Sequence, residues 1–333
     1  MSTSILPGIL PTLTSVEQAA AALAHVFPAT PLRHSTALSE LMGRPVWLKL
    51  EVEQCTGSFK VRGAYTVLDR MTADQRARGV VASSAGNHGL GVAWAAHHFG
   101  APAMLYVPHD APQVKKDGIR ALGAVVNDEA TDYDHAMVLA KAHAALDDVP
   151  FINPCLGEDL LAGQGTVALE ILAELPSVRT VLVCVGGGGL LGGVGTVLRS
   201  VAPQVRIVGA QSVRTAAMAK SMSAGRVVEI ASESTLADGL AGQIDDDALQ
   251  IGQHCLDQIV TLDEEQIGET IAWLHRHEGL TVEGAGAVTV AALRNAARAD
   301  ESLGEGPMAA IVSGRNIDAS RHIALLGRWT EAV

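Results

Sequence analysis

From Gly79 onward the chain alternates short β-branched apolar runs with longer Ala-rich stretches whose apolar residues recur at helical spacing. Residues 80–82 predict a strand leading into a helix that passes through Trp94 and His98. Residues 103–107 predict the next strand, with a helix near 112–122, and residues 124–126 precede a helix from Tyr133 to about Leu146. The later half repeats the theme: strand 181–185 then helix 190–201, and strand 206–210 then helix 215–223. A final apolar run, 309–312, ends at Ser313-Gly314-Arg315-Asn316. Such alternation predicts an α/β fold of parallel-rich sheets flanked by helices, with ligands beyond the carboxyl ends of the strands.

A length of 333 residues suits two domains or one large α/β unit. Hydrophobic residues make up 48% but aromatics only 3%, so the core is built mostly of Ala, Val, Leu and Ile. The net charge is −12 with no basic cluster, which argues against nucleic acid and anionic membrane surfaces as partners. Gly or charge breaks every apolar stretch well short of a membrane span. Met1-Ser2-Thr3-Ser4 lacks the basic region of a signal peptide, and no regulatory domain is expected after residue 333. Cys55, Cys155, Cys184 and Cys255 are widely spaced, with no Cys-x-x-Cys pair; they read as reduced thiols of a cytoplasmic protein, not as a zinc site.

Three short stretches carry the chemistry. In Gly57-Ser58-Phe59-Lys60-Val61-Arg62-Gly63, Lys60 is flanked by Phe59 and small residues, a setting for a partly buried amine able to form an imine with a carbonyl cofactor. Taken alone, Lys60 reads first as a solvated surface charge, as most lysines are. Gly186-Gly187-Gly188-Gly189-Leu190 joins a strand to a helix, where bare backbone N–H groups at a helix N-terminus receive a phosphate. Gly187, Gly189 and Gly192 also satisfy G-x-G-x-x-G, but a dinucleotide site wants an acid at the end of the next strand, and that strand ends Gly209-Ala210-Gln211. A plain turn needs one or two glycines, not four. Ser84-Ala85-Gly86-Asn87-His88-Gly89 opens a helix after a strand and offers N–H groups to a substrate carboxylate, or equally an ordinary cap through Ser84 or Asn87. An imine-forming lysine and a phosphate cup are what pyridoxal 5′-phosphate requires.

The three motifs, in this order, resemble the fold-type II pyridoxal-phosphate enzymes, and within them the serine/threonine dehydratase (ammonia-lyase) and serine racemase group. The resemblance spans nearly the whole chain and implies a two-domain, tryptophan synthase β-like fold. It implies a large cofactor domain of residues 1–78 plus 152–333 and a small mobile domain of about 79–151. It further implies that Lys60 holds the cofactor and removes the substrate Cα proton, while the cupped phosphate protonates the departing β-hydroxyl. Asn87 is implied to face the cofactor's 3-oxygen and Ser313 its pyridine nitrogen, leaving the ring largely neutral, which suits β-elimination over transamination. Gly239, within Ala237-Asp238-Gly239-Leu240, and Glu283, within Glu283-Gly284-Ala285-Gly286, are implied to line the ring; Glu283 reads equally as a helix N-terminal acid. Ala162-Gly163-Gln164-Gly165-Thr166 is implied to pack beside the site. His88 reads as packing beside the site or as part of the substrate loop. Arg315 departs from the family's Ser-Gly-Gly-Asn segment.

The departures narrow the chemistry. Racemases of the group carry a serine where this chain has Ala85, so racemisation is expected to be poor. Several members bind a divalent cation through a Glu, a main-chain carbonyl and an Asp; the matching places are Gln211, Thr215 and Ala217, so no metal is expected there. Members acting on hydroxyaspartate place an arginine where this chain has Tyr133, which argues against dicarboxylic substrates. The expected function is elimination from a β-hydroxy-α-amino acid, L-threonine or L-serine, giving a 2-oxo acid and ammonia. Cys155, where threonine dehydratases show Phe, together with Tyr133 also allows a bulkier β-substituent such as the phenyl of phenylserine. The same fold could instead serve a β-replacement transferase of the cysteine-synthase kind, or a ligand-sensing protein without turnover. A homodimer or homotetramer is the expected assembly.

Overall fold

The computed structural model describes residues 6–231 and 233–330. In chain order the elements are α1 (Leu13–Leu23), β1 (Leu32–Ser35), α2 (Thr36–Met42), β2 (Val46–Leu50), α3 (Lys60–Arg70), α4 (Ala73–Arg78), β3 (Val80–Ser83), α5 (Asn87–Phe99), β4 (Ala103–Pro108), α6 (Gln113–Ala121), β5 (Val125–Ala130) and α7 (Tyr133–Leu146). There follow α8 (Glu158–Glu174), β6 (Thr180–Cys184), α9 (Gly189–Val201), β7 (Arg206–Ser212), α10 (Ala217–Ala224), α11 (Asp246–Cys255), β8 (Gln258–Leu262), α12 (Glu264–Glu278), α13 (Gly284–Ala299), β9 (Met308–Val312) and α14 (Ala319–Arg328).

Two sheets form. The larger has the order β1-β2-β9-β6-β7-β8 and is parallel throughout except for β1, which runs antiparallel to β2. The smaller, β3-β4-β5, is fully parallel and gains one bridge, Val81 to Phe151, as the chain returns to the larger unit. Strands β6 and β9 are buried at every residue, which explains why they read as continuous apolar runs rather than alternating ones.

Strands β1, β2 and β8 lie outside the alternation that pattern alone predicts. In β2 the run Val-Trp-Leu-Lys-Leu is interrupted by a cation, yet Lys49 is fully buried with its Nζ 2.6 Å from Glu170 Oε2. Glu170 belongs to a larger buried network. Arg62 Nε donates to Glu51 Oε2 at 2.8 Å, and Arg62 Nη1 to Glu170 Oε1 at 2.6 Å. Burial works against the guanidinium charge, but Glu51 and Glu170 outweigh it and hold the Arg62 pKa above its ordinary value. The network joins α3 to α8 and to the end of β2, close to Lys60 in the chain.

The small-residue segment before Thr166 has a packing cause. A β-carbon at Gly165 would lie 2.8 Å from Gly193 O, and one at Gly63 would lie 2.8 Å from Leu160 O. Helices α3, α8 and α9 therefore approach at bare backbone, and this contact fixes Lys60 relative to the glycine loop at the head of α9.

Candidate active site

The carboxyl ends of β3, β6 and β9 give way to Ser84, to the glycine loop and to Ser313, and all three open on one cavity of about 520 Å³. Every residue expected from the sequence to contact cofactor or substrate lines it, including Phe59, Lys60, Asn87, Gly239, Glu283, Tyr133 and Cys155. Residues far apart in sequence thus meet where an α/β sheet places its ligands.

Lys60 is the first residue of α3. Its Nζ donates to Pro154 O at 2.7 Å and lies 5.3 Å from the Phe59 ring centroid. Helix α5 crosses here at Gly91, where a β-carbon would lie 3.1 Å from the Lys60 carbonyl carbon, so the small sheet's first helix rests on the lysine's own backbone.

Five of the helices that open on the cavity lack a side-chain cap, as do α8 and α10 away from it. The N-cap residues of α3, α5, α6, α9 and α13 are Phe59, Gly86, Pro112, Gly188 and Glu283; all line the cavity, and none caps its helix with a side chain. At most helices away from the cavity the cap is present: Thr12, Ser35, Thr72, Asp245, Asp263 and Asp318 each accept a backbone N–H. Helix α7 is the lining helix with a cap, Asp132 accepting from His135 N. Gly188 sits at φ 91°, a left-handed conformation that suits glycine, and this turns the chain into α9. Backbone donors at the heads of α5 and α9 are thereby left for a ligand. Ser84 Oγ accepts from Gly86 N at 3.1 Å, which shapes the turn before α5 without capping it.

Asn87 is a hub. Its Nδ2 donates to Glu283 Oε1 at 2.6 Å, and its Oδ1 accepts from Asn316 Nδ2 at 2.6 Å. Asn316 also donates to Thr56 O at 2.8 Å, and Phe59 N donates to Ser313 O at 3.2 Å. Residues 313–316 thus pair with residues 56–59 and tie the end of β9 to the lysine loop. Asn316 is a site residue that the sequence reading does not mark, although it closes the Ser313-to-Asn316 segment. Arg315 donates its backbone N–H to Gly57 O, while the residue is exposed and does not line the cavity, so its departure leaves the pocket wall unchanged.

Glu283 is the N-cap of α13 but makes no capping bond, its carboxylate being turned to Asn87. Burial pushes this carboxyl up to about 7; Asp238 adds to the rise and the Asn87 hydrogen bond opposes it. His88 is buried and its Nε2–H donates to Ile152 O at 3.0 Å. Burial, reinforced by the nearby Lys60 charge, lowers its pKa to about 3, so the ring stays neutral and anchors the loop. The Tyr133 hydroxyl is held up at about 12, first by desolvation and then by Cys155, and both residues line the cavity although Tyr133 keeps 44% of its surface exposed. Ser313 Oγ donates to Ala285 O at 3.3 Å, and the residue lines the cavity. The thiol of Cys184, the last residue of β6, lies beside it and is pushed up to about 11 by burial.

These residues fit pyridoxal phosphate. An amine, a helix N-terminus without a cap and a buried hydroxyl converge on one cavity, matching the aldehyde, the phosphate and the ring nitrogen of that molecule. They do not fit a divalent cation at the place where several members of the resembled group hold one. Gln211 Nε2 donates to Val185 O at 2.9 Å and to Thr215 O at 3.1 Å, and Ala217 offers no side-chain oxygen. Among the described residues no group of three or more His, Cys, Asp and Glu side chains is arranged to hold a metal ion. Among them also, no helix is long and apolar enough to cross a membrane.

A family model described as "Pyridoxal-phosphate dependent enzyme" matches residues 24–314. The chain is 39% identical over 310 residues to an L-threonine ammonia-lyase of Thermotoga maritima, covering 93% of this chain and 76% of that one. Among solved structures it is similar to the processed form of threonine deaminase isoform 2 from Solanum lycopersicum, with a TM-score of 0.87 and 29% identity over 98% of this chain and 93% of that one. It is equally similar to maize serine racemase, with a TM-score of 0.87 and 27% identity over 96% of this chain and 99% of that one.

Proposed function

The chain belongs to the pyridoxal-phosphate-dependent enzymes, and within them we propose that it is a dehydratase (ammonia-lyase) that converts a β-hydroxy-α-amino acid, L-threonine or L-serine, to a 2-oxo acid and ammonia. The observation that carries the reading is the meeting of Lys60, the uncapped head of α9 and Ser313 around one cavity. The similarity to threonine ammonia-lyase and threonine deaminase supports the same reaction.

Lys60 would hold the cofactor, the N–H groups of residues 186–190 its phosphate, Asn87 its ring oxygen and Ser313 its ring nitrogen. When bound, the cofactor withdraws electrons from the substrate Cα, making the proton there acidic and easing loss of the β-hydroxyl. The chain's own contributions follow from position. The uncapped head of α5, from Ser84 to His88, receives the substrate carboxylate and fixes the amino acid's orientation. Lys60 Nζ, held by Pro154 O, takes the Cα proton. One N–H of Asn87 is committed to Glu283, leaving the second for a ligand. The Cα–H and Cβ–O bonds break, the hydroxyl leaves as water, and the released product takes water back as it gives up ammonia.

Residues 79–151 act in this reading as a small mobile domain against residues 1–78 plus 152–333, excluding water as it closes. It is supported by the separate sheet β3-β4-β5 and by an ion pair at the cavity, Lys115 Nζ of α6 to Asp238 Oδ2 at 3.6 Å. A homodimer or homotetramer in the cytoplasm, with all four cysteines reduced, completes the reading. A second reading, a bulkier β-substituent, is favoured by the Tyr133–Cys155 pair in the cleft, where a phenylalanine at 155 would take up more space.

The test is incubation of cofactor-loaded protein with a panel of β-hydroxy amino acids. Equal amounts of 2-oxo acid and ammonia from L-threonine or L-serine are expected. Release from none of the panel, or thiol substitution on an activated serine instead, overturns the assignment.

A further inference from the structure

Buried polar side chains require partners, and where all of them are main-chain groups from different elements the side chain acts as a cross-link. Gln211, near the end of β7, is fully buried. Its Nε2 spends both protons on carbonyl oxygens, Val185 at 2.9 Å and Thr215 at 3.1 Å. Its Oε1 accepts from Ala219 N, in the first turn of α10, at 3.0 Å. Two carbonyls on one side and an N–H on the other fix which amide atom is nitrogen. Val185 immediately precedes the glycine loop, and its own N–H donates to Ala210 O at 3.0 Å. Both backbone groups of Val185 are therefore held by β7, one through the ladder and one through Gln211.

We propose that Gln211 is a positioning residue for the glycine loop: its amide N–H groups do at this spot what a bound cation would do, drawing two carbonyl oxygens together without a metal. The proposal rests on the reading that residues 186–190 hold the cofactor phosphate. An amide supplies two directed protons and no net charge, so the cross-link is independent of ion supply. A glutamate of the same length would supply two acceptors and no donor, facing two carbonyl oxygens; that is an all-oxygen set suited to Mg²⁺ or Ca²⁺ and repulsive without one.

The experiment compares the native protein with Gln211→Glu and Gln211→Leu, following cofactor binding by visible absorbance and the melting temperature of the cofactor-free protein, each in chelator and in added Mg²⁺ or Ca²⁺. Native protein is expected to show the same affinity and melting temperature in both. Gln211→Glu in chelator is expected to lose cofactor affinity by about tenfold or more, as a buried acceptor left without a donor implies, and to recover it with the cation together with a rise in melting temperature. Gln211→Leu is expected to lose affinity with no recovery; if that variant does not fold, the response of Gln211→Glu to cation decides alone. Unchanged affinity of Gln211→Glu in chelator together with a melting temperature that ignores the cation, failure of the cation to restore a lost affinity, or native affinity that itself falls in chelator and returns with Mg²⁺ overturns the proposal. Failure of the phosphate-cup reading looks different: the melting temperature of Gln211→Glu alone would then rise with cation, with the cofactor affinity of both variants equal to native throughout.

Discussion

Asn87 Nδ2 and Glu283 Oε1 lie 2.6 Å apart although 196 positions separate them in the chain, and the carboxyl in this pair is raised to about 7. Between the ordinary value of 4.5 and about 7 the folded protein holds a proton that the unfolded chain has lost, so Glu283 makes stability fall as pH rises through that window. His88 has the opposite sign: with a folded value of about 3 against 6.5, it makes stability rise as pH rises from about 3 to 6.5. The two slopes oppose each other where the windows overlap. Glu283→Gln should therefore uncover the His88 slope and remove the decline toward pH 7. Melting temperatures of the cofactor-free protein measured from pH 4.5 to 7.5 test this, and identical profiles for variant and native would count against it.

Borohydride treatment of the cofactor-loaded protein should attach the cofactor to Lys60, because its amine lines the same cavity as the glycine loop. Peptide mapping that finds the label on any other lysine defeats the assignment. Lys60→Ala should bind cofactor weakly and have essentially no turnover.

Ala85 lines the cavity without a hydroxyl. L-Serine should accordingly yield pyruvate with little D-serine, and chiral chromatography of the reaction mixture reads the ratio. D-Serine accumulating at a rate comparable to pyruvate would require a proton donor other than residue 85.

Cys155→Phe addresses the width of the cleft. Cys155 packs against the loop, since a β-carbon at Gly187 would lie 2.7 Å from its Sγ, and Tyr133 lines the same cavity. The variant should impair turnover of phenylserine far more than that of threonine if the pocket takes bulky groups. Equal losses in kcat/KM for both would remove the second reading.

Arg62→Ala should be among the most damaging substitutions outside the cavity, because it leaves the fully buried Glu51 without a cation, while the partly exposed Glu170 keeps only Lys49. A loss of about 3–5 kcal/mol in denaturant unfolding is expected, with Arg62→Lys intermediate because an ammonium does not reach both carboxylates in a planar fork. A loss under about 1 kcal/mol would mean that water enters and screens the pair.

The strands and helices around the cavity were legible because their apolar runs are uninterrupted, as in β6 and β9, and because glycines mark the turns that follow. The first strands were not, since Lys49 interrupts β2 and its partner Glu170 lies far along the chain. Edge strand β8 is only half-buried and carries little periodic signal. Within the site, the lysine, the glycine loop and Asn87 were recognisable from local motifs. The Asn87–Asn316 bond and the turning of Glu283 from helix cap to site partner depend on tertiary pairing of residues 313–316 with 56–59, which no local pattern encodes.

The withheld caps at the heads of α5 and α9 set two kinds of selection against each other. A library of variants screened for heat resistance alone would favour Ser, Asp or Asn at Gly86, and Asn at the left-handed Gly188, since each supplies the missing acceptor for backbone N–H groups that the native protein leaves open. In the proposed reading those same side chains would occupy the places of the cofactor phosphate and the substrate carboxylate. Thermostabilising this enzyme therefore has to begin at helix heads off the cavity wall, such as those of α8 and α10, whose N-cap residues Gly157 and Ala216 make no side-chain bond, and leave the bare termini alone.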